Sequence, residues 1–199
     1  MRNWVARATG LVLLGTFALI NAAIAGNSRV VFVPWKVVEP GQETPPAPLT
    51  LYWIPASPDE LRRSELVTSR ALALFATRCV GMQVIRGDDE GRLETLGVGD
   101  RLPVVVLMDG DRELGRLGEG EEPLRAGDVE TMVREAIDER ELVCETLLDD
   151  ARERAIDGDR AAAIELYRHV WQQRCAFPRQ AREAQRALKR LGITPRPGS

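Results

Sequence analysis

Histidine and cysteine are scarce in this chain of 199 residues: one histidine, His169, and three cysteines, Cys79, Cys144 and Cys175. So few ligands and bases leave little from which to assemble a zinc centre or a Ser-His-Asp triad. Lysine is nearly missing, with only Lys36 and Lys189, and the 27 basic residues are outnumbered by 30 acidic ones, for a formal net charge of -3. No basic excess exists to displace counterions from phosphates, which argues against nucleic acid as a partner. Long apolar runs are also lacking. The stretch Leu11 to Ala25 has about 15 residues where a membrane span needs about 20, and Asn21 interrupts it. Disorder is excluded by a hydrophobic content of 44% set in regular patterns.

The N-terminus has the three parts of a secretory signal peptide: basic Arg2 and Arg7, the apolar run, and Ala23-Ile24-Ala25 as a small-x-small end. Residues 1–25 are therefore expected to be cut away before Gly26. The protein is expected in the periplasm or outside the cell, and on a membrane only if the segment stays as an anchor.

Beyond it, Arg29 to Val38 reads as a strand, at an edge or bulged because Pro34 cannot donate to a ladder. Glu39 to Pro48 is a proline-rich connector, and Leu49 to Ile54 a second strand. Ser57-Pro58-Asp59-Glu60 combines a capping serine, a proline at the first helical position and a capping-box glutamate. The spacing of Leu61, Val67, Ala71, Leu74 and Phe75 predicts one long helix to about Arg78. A strand at Met82–Ile85 and a short helix ending at Gly97 follow. Leu102 to Met108 is a continuous apolar run, the mark of a strand covered on both faces. Asp109-Gly110-Asp111 is hairpin chemistry, and Asp128 is the expected cap of a helix through Ile137.

From Glu141 onward three helical stripes are expected: Leu142, Val143, Leu147, Leu148 and Ala151; Ala163, Leu166, Tyr167 and Val170; Ala181, Ala184 and Leu188. They are separated by Gly158 and by Phe177-Pro178, and Gly192 stops the last. Cys144 and Cys175 lie at equal distances from the Gly158-Asp159 turn. An antiparallel hairpin would bring them together as a disulfide worth roughly 3–4 kcal/mol, leaving Cys79 as a small buried hydrophobe.

The order of elements from Leu49 to Ile137, with Leu51-Tyr52-Trp53 leading to a helix and Leu102-Pro103 leading the central strand, resembles the thioredoxin-like fold. The resemblance implies an α/β class, a mixed sheet flanked by helices. It makes Pro103 the candidate cis-proline, and Trp53, Pro55, Ser57, Leu102 and Pro103 the candidate peptide-contact region. Where such oxidoreductases carry Cys-x-x-Cys, this chain has Ser57-Pro58-Asp59-Glu60, and serine cannot supply the attacking thiolate. The run Ala155 to Tyr167 is similar to a tetratricopeptide repeat. One repeat falls short of a solenoid, which implies an α-helical hairpin extension.

The expected organisation is a signal peptide at 1–25, a thioredoxin-like domain at 28–139, a helical extension at 140–192 and a flexible tail at 193–199. The expected function is a redox-inactive module that binds or scaffolds an unknown protein or peptide, with no cofactor, no metal and no enzymatic activity. The alternative is an exported thiol-disulfide oxidoreductase using cysteines outside any Cys-x-x-Cys motif. A hydrolase built on Asp109, Asp111, Glu119, Glu121 and Glu122 finds no support in the pattern, because acidic runs on loops are solvated surface.

Overall fold

The structure is a computed structural model that describes residues 31–42, 47–118 and 124–195. The segment expected as a signal peptide, residues 1–25, lies outside the described residues, as do Glu119, Glu121 and Glu122. No helix among the described residues is long and apolar enough to cross a membrane.

Five strands form one mixed sheet: β1 (Lys36–Val38), β2 (Leu49–Ile54), β3 (Val80–Ile85), β4 (Val104–Asp109) and β5 (Arg112–Gly118). Their spatial order is β1-β3-β2-β4-β5, with β1, β3 and β2 parallel and β4 and β5 antiparallel. The first strand is shorter than its apolar stretch predicts. It starts only after Pro34 and occupies a sheet edge, where a missing backbone donor costs nothing.

Alternation along the strands feeds two cores. Leu51, Trp53, Met82, Val84, Val105 and Leu107 face one side, and Val38, Ile54, Ile85, Val104 and Val106 face the other. The second side is covered by α3 (Glu90–Thr95), through Leu93 and Leu96. The first is covered by α2 (Arg70–Thr77) and by α4 (Ala126–Ile156), through Leu72, Phe75, Val129 and Val133. The chain is thus an α/β protein with a five-stranded mixed sheet between helices.

The single helix expected from Ser57 to Arg78 is three pieces. These are α1 (Pro58–Arg63), a 3₁₀ turn at Glu65–Val67, and α2. Ser64 and Ser69 break it, because each hydroxyl turns back to accept an N–H bond, from Leu66 and from Leu72. Such serines compete with the helix ladder and restart it. Asp128 does not cap α4 either. That helix starts at Ala126, three residues earlier than an Asp128 cap would give, behind Arg125 and with no side-chain cap.

Helix α4 runs unbroken for 31 residues, straight through positions 139 and 140. Its first half packs on the sheet. Its second half forms a separate core with α5 (Arg160–Gln172) and α6 (Pro178–Arg190), built on Leu148, Ala151, Tyr167, Val170, Ala184 and Leu188. Leu142 and Val143, expected on the apolar stripe, are exposed. Ile193, expected in the tail, packs against this second core.

The disulfide joins Cys79 to Cys175, with Cα atoms 5.9 Å apart, and Cys144 is a buried free thiol. The expected Cys144–Cys175 bond is therefore wrong. Distance from the turn places two residues opposite each other only while both stay on the helices. Cys175 has already left α5 and sits in the turn before α6, while Cys144 points into the sheet-side core.

Candidate functional site

Strands β2 and β3 run parallel, so their C-terminal ends open at the same edge of the sheet. There the chain leaves β2 through Pro55-Ala56 into α1, and leaves β3 through Arg86-Gly87-Asp88. Between them lies a groove of about 530 Å³. Its apolar lining is Val37 from the edge strand, Pro55 and Pro58, Leu61 of α1, Val84 and Leu102, and Arg86 and Asp88 add a charged side. This is where open α/β sheets usually present ligand sites, outside the carboxyl ends of the strands.

Local chemistry fixes the walls. Ser57 Oγ accepts the Glu60 N–H at 3.2 Å, and the Glu60 carboxylate accepts the Ala56 N–H at 2.7 Å. This reciprocal cap pins the turn that carries Pro55 and Ser57. Burial pushes the Glu60 carboxyl above its ordinary range, and the Ala56 N–H partly offsets it. On the opposite wall Arg86 holds Asp88 by a two-pronged bond of 2.9 and 2.6 Å. That bond lowers the Asp88 pKa and raises that of Arg86.

The Leu102–Pro103 peptide is cis. Leu102 lines the groove, while half-buried Pro103 is not part of the lining. Behind them, Gly118 adopts φ +100°, and a Cβ there would lie 2.1 Å from the Pro103 carbonyl oxygen. Only glycine lets β5 pass this close to the cis bond.

Pro55, Ser57 and Leu102 thus meet in one groove, and Trp53 does not join them. Trp53 faces the same side of the sheet as its cross-strand partner Val84, but it sits within the sheet-side core rather than in the groove lining. There it is fully buried, tilted against Trp35 with ring centroids 5.3 Å apart. Sequence reading missed Val37, Leu61 and Arg86. A strand edge, a helix side and a strand end converge on them, and no local motif marks that convergence.

The groove carries no thiol, and its one hydroxyl nucleophile, Ser57, is committed to capping α1 with no histidine among the lining residues. The disulfide lies at the opposite end of β3, roughly 20 Å away at about 3.3 Å per residue. Cys144 and His169 both line a second cavity of about 330 Å³, between the β4–β5 hairpin, α4 and the end of α5. Burial is the main cause that pushes the Cys144 thiol above its ordinary range, against the pull of Arg140, and so keeps it protonated. Among the described residues no cluster of histidine, cysteine or carboxylate side chains could hold a metal ion.

No protein-family model matches the chain, and no curated protein matches it in sequence.

Proposed function

We propose that this chain is an exported thioredoxin-like protein without thioredoxin chemistry, acting as a module that binds or scaffolds another protein. In this reading the groove between Pro55, Ser57, Leu61 and Leu102 takes an extended, apolar segment of the partner. The helices α4 to α6 form a tetratricopeptide-like extension. The observation that carries the reading is that Ser57 and Leu102 line one groove, with Ser57 at the position where a redox relative would present its thiols.

Two further features support it. The strand order, with three parallel strands and an antiparallel pair ending in a hairpin, is compatible with a thioredoxin-like fold. The disulfide fits the oxidising compartment that a cleaved signal peptide would lead to.

The experiment is a binding titration with a permanently unfolded probe, reduced and carboxymethylated α-lactalbumin. Saturable binding lost in Leu61→Glu supports the groove, and binding indifferent to that change defeats it. The oxidoreductase reading rests on the exposure of Cys175, which leaves the disulfide open to attack. Insulin reduction driven by dithiothreitol separates the two, because turnover above background would favour the oxidoreductase.

A further inference from the structure

Helix α6 carries five basic residues in 13 positions and a single acidic one. At about 100° per residue, Arg179, Arg182, Arg186, Lys189 and Arg190 fall within an arc of about 100°. All five are exposed, on the side opposite buried Ala181, Ala184 and Leu188. None of these five side chains makes a hydrogen bond or ion pair among the described residues.

Helix α4 shows the opposite. Asp138, Glu145, Asp149 and Glu153 fall within an arc of about 80°, together with Leu142 and Ile156. Those two apolar side chains are 63% and 84% exposed. Asp138 and Glu153 likewise have no side-chain partner among the described residues.

The two stripes flank one line. Gln180 Nε2 donates to Glu141 Oε1 at 2.9 Å, and Arg152 bridges to Glu183, which marks where α4 and α6 touch. On the helical wheels Glu183 borders the basic stripe and Arg152 borders the acidic one. Both stripes therefore lie on the same side of the helical layer, left and right of the α4–α6 seam.

We infer that this charge-divided face binds a second copy of the chain, forming a two-fold dimer. A two-fold axis along the seam lays each basic stripe on the partner's acidic stripe and covers Leu142 and Ile156 from both copies. An anionic lipid surface would attract one stripe and be repelled by its neighbour, and an acidic peptide would engage half the face. A second copy satisfies all of it. The interface is independent of the groove, so the two readings stand or fall separately.

Sedimentation velocity of the protein purified from an exporting host tests this. A dimer is expected at about 10 mM salt, its dissociation constant rising at least tenfold at about 1 M, as the Debye length falls from about 30 to about 3 Å. Arg182→Glu/Arg186→Glu and Asp149→Arg/Glu153→Arg are each expected to be monomeric alone and to dimerise when mixed. Circular dichroism establishes that each variant is folded, and single-site reversals replace any that is not. A wild type monomeric at low salt, a dimer that survives either reversal, or a mixture that stays monomeric would overturn the proposal.

Discussion

Cys79 and Cys175, 96 positions apart, tie the end of α2 to the turn between α5 and α6, and so bind the sheet-side core to the helical one. Cys79 sits at φ +61°, the left-handed conformation that usually ends a helix with glycine. Its neighbour Arg78 lies over the Phe177 ring at 5.6 Å and donates to the Ala176 carbonyl at 3.3 Å, so the seam is a cluster built around the bond. A loop this long gives a chain-entropy stabilisation of about 3–5 kcal/mol. Cys175→Ser is expected to lower the melting temperature by about 10 °C, and dithiothreitol to do the same to the wild type. Calorimetry checks both. Non-reducing peptide mapping should find Cys79 linked to Cys175 and Cys144 alone.

Cys144 offers a prediction in pH. Its thiol is held above its ordinary range by burial, so the folded state favours the protonated form. That contribution is fully present below the unfolded thiol's pKa of about 8.5, and is lost as pH rises through the folded value. Tyr167, raised by burial too, adds a loss of the same sign at higher pH. Denaturant melts from pH 7 to 10 should show falling stability, with a shallower fall in Cys144→Ala.

Two glycines of β5 should behave differently. Gly118→Ala places a Cβ against the Pro103 carbonyl at a positive φ and should cost at least about 2–3 kcal/mol. Gly115→Ala meets only the Sδ of Met132 at 2.8 Å and its Cγ at 3.0 Å, the flexible part of a side chain, and should cost about 1 kcal/mol. Urea titration of the two variants measures the difference.

Trp53 separates packing from contact. It is fully buried and its ring N–H has no partner. Trp53→Ala should cost about 3–5 kcal/mol, whereas Trp53→Phe, which keeps a ring and removes the unpaired donor, should cost under about 1.5 kcal/mol. Chemical denaturation of both reports the ordering.

The sheet was legible wherever the sequence carried runs of apolar, aromatic and β-branched residues: Leu49 to Ile54 and the Val104-Val105-Val106 stretch stand as strands where they were expected. What escaped was decided by single groups acting across distance. Ser64 and Ser69 look like ordinary helix surface until their hydroxyls fold back on Leu66 and Leu72. Cys175 looks like a helix residue until α5 ends at Gln172. Of the groove, Pro55, Ser57 and Leu102 were readable from local signals, while Leu61 and Val37 reach it only through tertiary packing.

The central claim is that the groove beside Leu102 holds an extended partner without redox chemistry. Fluorescence anisotropy of labelled, reduced and carboxymethylated α-lactalbumin tests it most directly, with wild type, Leu61→Glu and the remote Arg168→Gln, on exposed α5 surface, compared at equal concentration. The account predicts saturable binding by the wild type and Arg168→Gln, weakened at least about tenfold, or 1.4 kcal/mol, in Leu61→Glu. Absent binding, or equal binding by all three proteins, would contradict it.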